Sequence, residues 1–310
     1  MTEGFGLFPF GRPNTIRPAR MPAGDASVMV VGVYPSAWHV RWSTPKALAR
    51  TQPGATGVAA LAVDVEPEVF WNGDGADFTT RLDDWTRATG FVPGDGDGEH
   101  GTIAVKPPAS NGSSGATVEA RYLSPLGVQA DHAAFTDVCP IFFVKRSSGA
   151  RREQGDAIRA AYDPIAERLG FPPCTLPSRP APAKLVNRAA MEFADPLLTD
   201  LRDSGTSMVV TLGEESLQTM RSIPDLHAEP PAATLGDIYD HGLYGRPGRL
   251  RIGGKTVDWL ALVHPGLLKG RPAERNTARS RDVTPRGRDW NGAHLAWEQA
   301  QQRTRADNDA

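Results

Sequence analysis

Five short apolar runs limit what this chain can fold into. They are "SVMVVGV" (Ser27–Val33), "GVAALAVDV" (Gly57–Val65), "AAFTDVCPIFFV" (Ala133–Val144), "SMVVTLG" (Ser207–Gly213) and "TVDWLALV" (Thr256–Val263). The first is too continuous for a strand with one wet face and suits a strand buried on both sides. Stretches with helical spacing lie between and after these runs. Phe78, Leu82 and Trp85 share one face before Gly90, and Ile158, Tyr162, Ile165 and Leu169 share another within Arg152–Leu169. Lys184–Asp203, "EESLQTMRSI" and the terminal "WNGAHLAWEQAQQRTR" read as further helices. Strands alternating with helices predict a mostly parallel sheet covered on both faces. Ligands of such sheets bind at the carboxyl ends of the strands. "GVYPSAWH", "TDVCP" and "HPGLLKG" are predicted to meet there.

With 310 residues, the chain suffices for one large α/β domain or two small ones. It is read as a single domain, 1–310, carrying a mobile Gly-, Pro-, Ser- and Asp-rich insert at 92–120. The net charge of −2 gives no global sign of a nucleic-acid partner. Locally, Lys269, Arg271, Arg275, Arg279, Arg281, Arg286 and Arg288 stand against only Glu274 and Asp282. That tract is either a phosphate-binding face or part of an arginine bias that runs through the whole chain. Two cysteines, Cys139 and Cys174, cannot supply a four-cysteine site, so no metal cluster and no cofactor is expected. No apolar run approaches ~18 residues, so no membrane span is expected. "MTEGFGLFPF" lacks the form of a signal peptide. The expected location is the cytoplasm, with reduced thiols.

Several residues carry candidate chemistry. His264 ends a buried strand and precedes a proline; it is either satisfied by a loop carbonyl or a donor aimed at negative charge on a bound group. Leu267 and Leu268 are either a folded-back loop core or an apolar wedge that fills the space of an unstacked base. In "VFWNGDG", Trp71 and Asp74 either belong to an Asx-type turn or supply a stacking surface and a carboxylate near a reacting centre. Asp137 lies among Phe135, Val138 and Ile141 and must find partners or shift its pKa. "GDGDGE" lacks the full spacing of a calcium loop and reads as solvated loop.

In order along the chain, these segments resemble the uracil-DNA glycosylase superfamily. Gly32-Val33-Tyr34-Pro35 matches its G-x-x-P turn, and Trp71-Asn72-Gly73-Asp74 matches the aromatic-x-G-D segment of some branches. Gly90-Phe91 matches the end of the following helix, Thr136-Asp137 a base-reading Thr-Asn, and Leu212-Gly213 an L-G strand end. His264-Pro265-Gly266-Leu267 matches the H-P-S/G motif with its intercalating tip. The resemblance spans roughly Val28 to Arg281 and implies a three-layer α/β/α sandwich that acts on DNA. It implies that His264 hydrogen-bonds the departing base and that Leu267 or Leu268 plugs the duplex. Lys269, Arg271 and Arg275 would hold phosphates.

The chain departs from the family pattern in three places. Val33 and Tyr34 stand where most branches carry an acid, which leaves Asp74 as the candidate catalytic carboxylate. The cluster cysteines are missing, and Thr-Asn has become Thr-Asp. Asp137 in place of Asn, with the small Ser36 after Pro35, suggests a cytosine-type base that is bulky at C5. Tyr34, Ser36, Trp71 and Asp137 are then the expected base-binding residues. The pattern is similar to that of Brig-type anti-phage glycosylases, which act on glucosylated hydroxymethylcytosine. A repair glycosylase for uracil or another deaminated base remains open, as does an inactive DNA-binding relative.

Overall fold

A computed structural model describes residues 4–51, 57–73, 78–91, 99–105, 111–145, 155, 158–268 and 287–309. Among them the strands are β1 (Val28–Gly32), β2 (Ala37–Ser43), β3 (Val58–Val65), β4 (Thr102–Val105), β5 (Ala133–Asp137), β6 (Met208–Leu212), β7 (His227–Glu229), β8 (Gly248–Ile252) and β9 (Lys255–Leu262). The chain is α/β and divides into two compact units. The first comprises Met1–Arg17, Tyr34–Ser113 and Ile141–Pro180; the second comprises Pro18–Val33, Ser114–Pro140 and Ala181–Ala310.

The first unit holds an antiparallel sheet in the order β3-β2-β4. Along β2, Trp38, Val40 and Trp42 are buried while Arg41 is exposed, the alternation of a strand with one dry face. Its core is aromatic. Phe10 lies 4.7 to 5.6 Å, centroid to centroid, from Trp42, Trp85, Phe91, Tyr162 and Phe171. Phe10 has a φ of 65°, rare outside glycine, and its N–H donates to the Tyr162 hydroxyl. Such a conformation costs ~1–3 kcal/mol and persists where surrounding contacts over-determine it. Each aromatic pair contributes ~0.5–1.5 kcal/mol beyond its area, so this cage holds the strained residue in place.

Two sequence expectations differ here. β3 pairs antiparallel with β2 and stands outside the parallel sheet. The stretch 92–120, read as a mobile loop, contains β4, whose Val105, Ala104, Ile103 and Thr102 pair with β2, and the helix Ser113–Val118. Thr102 and Ile103 are β-branched and fit a pleated, half-buried surface.

The second unit holds a mixed six-stranded sheet in the order β5-β1-β6-β9-β8-β7. β5, β1, β6 and β9 run parallel, whereas β8 and β7 run antiparallel. All of β1 and β5, and nearly all of β6, is buried. The helix Glu214–Ser222 packs on β6 and the helix Ala194–Asp203 on β5. The predicted helix Lys184–Asp203 is two helices, Pro182–Glu192 and Ala194–Asp203, broken at Phe193 with φ −124° and ψ 13°. Sequence order reverses between β1, flanked by the later β5, and β6, which leads on to β9. In open parallel sheets the crevice outside such a reversal is the usual ligand position.

Candidate active site at the strand ends

Four parallel strands of the second unit deliver the chemistry-bearing motifs to one edge. In register, Gly32 pairs with Asp137, and Leu212 pairs with Leu262. Beyond the ladders the chain stays tethered. Val138 N–H donates to Gly32 O at 3.2 Å, Cys139 N–H to Val33 O at 3.0 Å, and Gly213 N–H to Leu262 O at 2.8 Å. Val33, Gly213 and His264 meet: a Cβ built on Gly213 would lie 3.3 Å from His264 Cβ and 3.9 Å from Val33 Cγ2. Gly213 has φ 98° and ψ 167°, a region open in practice to glycine alone. Glycine therefore lets β6 turn into its helix while the histidine packs directly against the backbone.

His264 is half-buried and caps a short 3-10 turn, Pro265–Leu267. Its Nδ1 accepts the Gly266 N–H at 3.0 Å. A neutral ring carries one proton, so with Nδ1 accepting, that proton lies on Nε2 and makes it a donor. Leu267 N–H donates back to His264 O at 2.9 Å and closes the turn. At its tip the two leucines part company: Leu267 is 48% exposed and Leu268 is buried.

Asp137 ends β5 and is buried. Its neighbour Thr136 donates through its hydroxyl to Asp200 Oδ2 at 2.7 Å. Burial raises the Asp200 carboxyl, and the Thr136 hydroxyl pulls it part of the way back. Successive strand side chains face opposite ways, so with Thr136 committed to the Asp200 helix, Asp137 belongs to the other face. Counting β5, β1, β6 and β9, Asp137 stands three strand spacings from the His264 strand, roughly 14 Å at ~4.8 Å each.

The residue before His264 is held by groups that the sequence reading missed. Val263 N–H donates to the Tyr244 hydroxyl at 3.2 Å, and the Tyr122 hydroxyl donates to Val263 O at 2.6 Å. Tyr244 also meets His294 Nδ1 at 2.8 Å, and His294 Nε2 meets Arg121 O at 3.0 Å. Burial lowers the His294 pKa to about 4 and holds both tyrosines above their ordinary value. Tyr122 and Arg121 sit in a π-type stretch, Glu119–Leu123, which interrupts the helix starting at Ser113. Such single-turn insertions occur often at functional sites. A polar pair and a histidine spread over 170 residues left no local spacing to recognise.

The remaining expected site residues fall elsewhere. Asp74, Lys269, Arg271 and Arg275 lie outside the described residues. Arg288, the last residue of the basic tract, donates from Nε to Asp240 Oδ1 at 2.8 Å, with a second contact from Nη2, so its charge is already engaged. Tyr34 and Ser36 belong to the first unit and are half-buried. Tyr34 makes an edge contact with Phe143 at 5.7 Å, and the Arg179 guanidinium lies 5.6 Å from its ring centroid. Trp71, expected as a stacking surface, is 4% exposed and packs in the aromatic core of the first unit. The apolar neighbours of the turn draw the ring inward and leave no open face for a base.

A cavity of about 420 Å³ also opens in the first unit, lined by Arg12, Trp38, Asp64, Arg81 and Trp85 among others. Arg12 Nε lies 3.3 Å from Asp64 Oδ2, whose other oxygen accepts the Val65 N–H at 2.8 Å. Arg81 stacks 4.9 Å from the Trp38 ring and donates to Val65 O at 2.8 Å. Burial pushes the Asp64 carboxyl up against the pull of Arg12, and lowers Arg81 against the pull of Asp64. These charges answer one another, as in an ion network that holds β3 to its surroundings.

Among the described residues, no group of three or more His, Cys, Asp or Glu side chains could hold a metal ion. No described helix is long and apolar enough to cross a membrane. In comparisons with known proteins, no family model matches the chain and no curated protein is significantly similar to it.

Proposed function

We propose that the chain is a DNA glycosylase of uracil-DNA glycosylase type, with a three-layer α/β/α second unit, and that it removes a modified cytosine from DNA. One observation carries the reading. His264 follows β9, the strand beside β6, and packs against Gly213 at the β6 end next to the β1/β6 reversal, with its Nδ1 occupied by Gly266 N–H and its proton therefore on Nε2. A neutral donor of this kind suits a leaving base, because charge appears on the base oxygen only as the glycosidic bond breaks. In the proposed step the C1′–N bond breaks and its electron pair leaves with the base. His264 Nε2–H hydrogen-bonds the resulting oxyanion. Water adds hydroxide to C1′, and its proton neutralises the base. The products are a free base and an abasic site, and no redox partner is consumed.

Other features support the reading. Leu267 is exposed beside His264, as a wedge into duplex DNA requires. Asp137 lies at the same sheet edge and would accept from a cytosine amino group. Asp74 is proposed as the carboxylate that stabilises the sugar cation, and Lys269, Arg271 and Arg275 as phosphate contacts. Tyr34 and Ser36 remain proposed base neighbours, whereas Trp71 is not.

The test is a panel of duplexes that each carry one altered base, among them uracil, hydroxymethylcytosine and glucosylated hydroxymethylcytosine, scored for alkali-labile abasic sites. Abasic product at a modified cytosine is expected. His264→Ala should lower single-turnover release by at least ~10²-fold, the scale of losing one electrostatic catalytic group, while DNA affinity is kept. DNA binding without abasic product on any base would overturn the enzymatic reading in favour of an inactive DNA-binding relative.

A further inference from the structure

β9 loses its neighbours unevenly. On one side the ladder to β6 runs to Leu262, whose carbonyl accepts the Gly213 N–H. On the other side pairing with β8 stops at Trp259, opposite Gly248. Backbone polar groups of successive strand residues point to alternate sides. Val263 therefore turns its N–H and C=O toward the side where β8 has ended. A buried backbone pair left there without partners would cost as much as the hydrogen bonds lost. Two tyrosine hydroxyls take the place of the missing strand: Tyr244 accepts from Val263 N–H, and Tyr122 donates to Val263 O.

The donors can be followed around a closed circuit. Tyr244 spends an oxygen lone pair on Val263 N–H and is left with one proton to donate, which goes to His294 Nδ1. His294 then carries its proton on Nε2 and donates it to Arg121 O. Arg121 is covalently joined to Tyr122, which returns to Val263 O. Glu298 fixes the Arg121 side chain at 2.7 Å. Every link belongs to the second unit, and His294 Nε2 also lies 3.5 Å from Glu298 Oε1.

We infer that Tyr122, Tyr244 and His294 are positioning residues that hold the His264 turn from behind, so that the C-terminal helix Trp290–Asp309 sets the aim of a donor it does not contain. The inference builds on the glycosylase reading for its catalytic consequence, but the positioning itself is visible without substrate. None of the three is placed in contact with DNA. They act by fixing Val263, and with it the start of the Pro265–Leu267 turn whose Gly266 N–H sets the His264 proton.

The test uses the full chain and compares Tyr244→Phe and Tyr122→Phe with the parent and with Tyr239→Phe. That control loses a hydroxyl that accepts the Asp289 N–H at 2.9 Å and, among the described residues, makes no hydrogen bond to the circuit. Two readouts need no substrate: hydrogen exchange of the Gly266 amide, and the ¹⁵N shifts of the His264 ring, which report which nitrogen holds the proton. In each of the two tyrosine variants, Gly266 exchange should rise about tenfold, the effect of losing one buried hydrogen bond, and the ring shifts should move toward a tautomer mixture. Tyr239→Phe should leave both unchanged. Base release by Tyr244→Phe should fall about tenfold with DNA affinity unchanged, the mark of a contact that matters only in the transition state. If Tyr244→Phe fails to fold, Tyr122→Phe, which removes a single donor, decides the matter. Parental Gly266 exchange and parental ring shifts in a folded Tyr122→Phe would overturn the inference. A parent that releases no base would instead overturn the glycosylase reading, and the exchange and ring data would still decide the positioning.

Discussion

At the scale of single residues, the second unit depends on positions where one atom more or less changes the site. Gly213 is the sharpest. Its φ of 98° and ψ of 167° exclude ordinary side chains, and a Cβ there would press on His264 Cβ from 3.3 Å. Gly213→Ala is expected to lose ~1–3 kcal/mol of unfolding free energy, the cost of a side chain in a glycine-only region, and to shift His264 as well. Urea unfolding checks the first effect, and an alanine variant as stable as the parent would show that the backbone relaxes freely. Asp137 carries the second residue-scale expectation. An ionised aspartate only accepts, so it suits the cytosine amino group and repels uracil O4, whereas an asparagine amide can satisfy uracil at O4 and N3 together. A mismatched polar pair in a dry pocket costs ~1–3 kcal/mol, or ~10- to 100-fold in selectivity. Asp137→Asn should therefore move preference toward uracil. Cleavage of paired oligonucleotides that differ only in the target base measures the ratio, and an unchanged ratio beside strong parental activity on uracil would remove Asp137 from the reading face. His264 was legible because a histidine after a buried run and before proline is an unusual strand end. The buried Leu268 and the buried Trp71 were not, since apolar residues in a turn give no sign of which one the fold pulls in.

At the scale of elements, continuous apolar runs were read well and alternating ones poorly. β1, β5 and β6 lie within the runs predicted from "SVMVVGV", "AAFTDVCPIFFV" and "SMVVTLG", and β9 overlaps "TVDWLALV" but starts one residue earlier, at Lys255. β2 was missed because His39, Arg41 and Ser43 interleave its Trp38, Val40 and Trp42, and the proline turn before it drew the reading toward a loop. β8 was missed although its signal is local. Ile252 and Lys255 pair across Gly253 and Gly254, whose φ values are 55° and 94°. Two positive φ values in a two-residue loop make a type I′ turn, and Gly-Gly between strands of alternating apolar residues, here Leu250 and Ile252 before and Val257 after, is a recognised mark of it. That turn supplies an element-scale prediction. Gly253→Asn should keep the hairpin, since asparagine tolerates the left-handed region, whereas alanine at both positions should cost ~1–2 kcal/mol per residue. The midpoint of urea unfolding reports the difference, and equal midpoints for the two variants would argue against a I′ turn. The π-type stretch Glu119–Leu123 was equally invisible, because a helix with one extra residue in a turn keeps helical composition.

At the scale of the whole molecule, each unit is assembled from three separate chain segments. The proline-rich stretch 172–183 spans one junction between them and the Gly- and Ser-rich insert another, but the junctions at 17/18, 33/34 and 140/141 lie in no such stretch, so composition marks the two-unit division only in part. Stability at this scale has a proton-linked component that can be assigned a sign. His294 is buried, and desolvation, the largest cause, takes its pKa from 6.5 to about 4; the Arg121 carbonyl opposes that shift and the Arg121 charge adds to it. The unfolded chain therefore binds a proton near pH 6.5 that the folded chain refuses until about pH 4. Its contribution is complete above pH 6.5 and is lost as the pH falls through that window. At ~1.4 kcal/mol per pKa unit, the loss approaches ~3 kcal/mol. Asp64, Asp163 and Asp200 work in the opposite direction: burial raises their folded carboxyls above 3.8, so the folded state holds their protons more tightly and acid favours it. The parent alone would report a mixture of these trends. The comparison that isolates the histidine is unfolding free energy near neutral pH and again at ~4.5 for the parent and His294→Gln. The parent should lose ~2–3 kcal/mol more than the variant over that interval. If the units unfold in separate transitions, the whole difference should fall on the second unit, since His294, Tyr244, Tyr122, Arg121 and Glu298 all belong to it. Identical pH slopes in parent and variant would mean that His294 is not the group refusing the proton. The incoming proton must take the Nδ1 lone pair that now accepts the Tyr244 hydroxyl, so acid destabilisation and release of Val263 are expected to share one step.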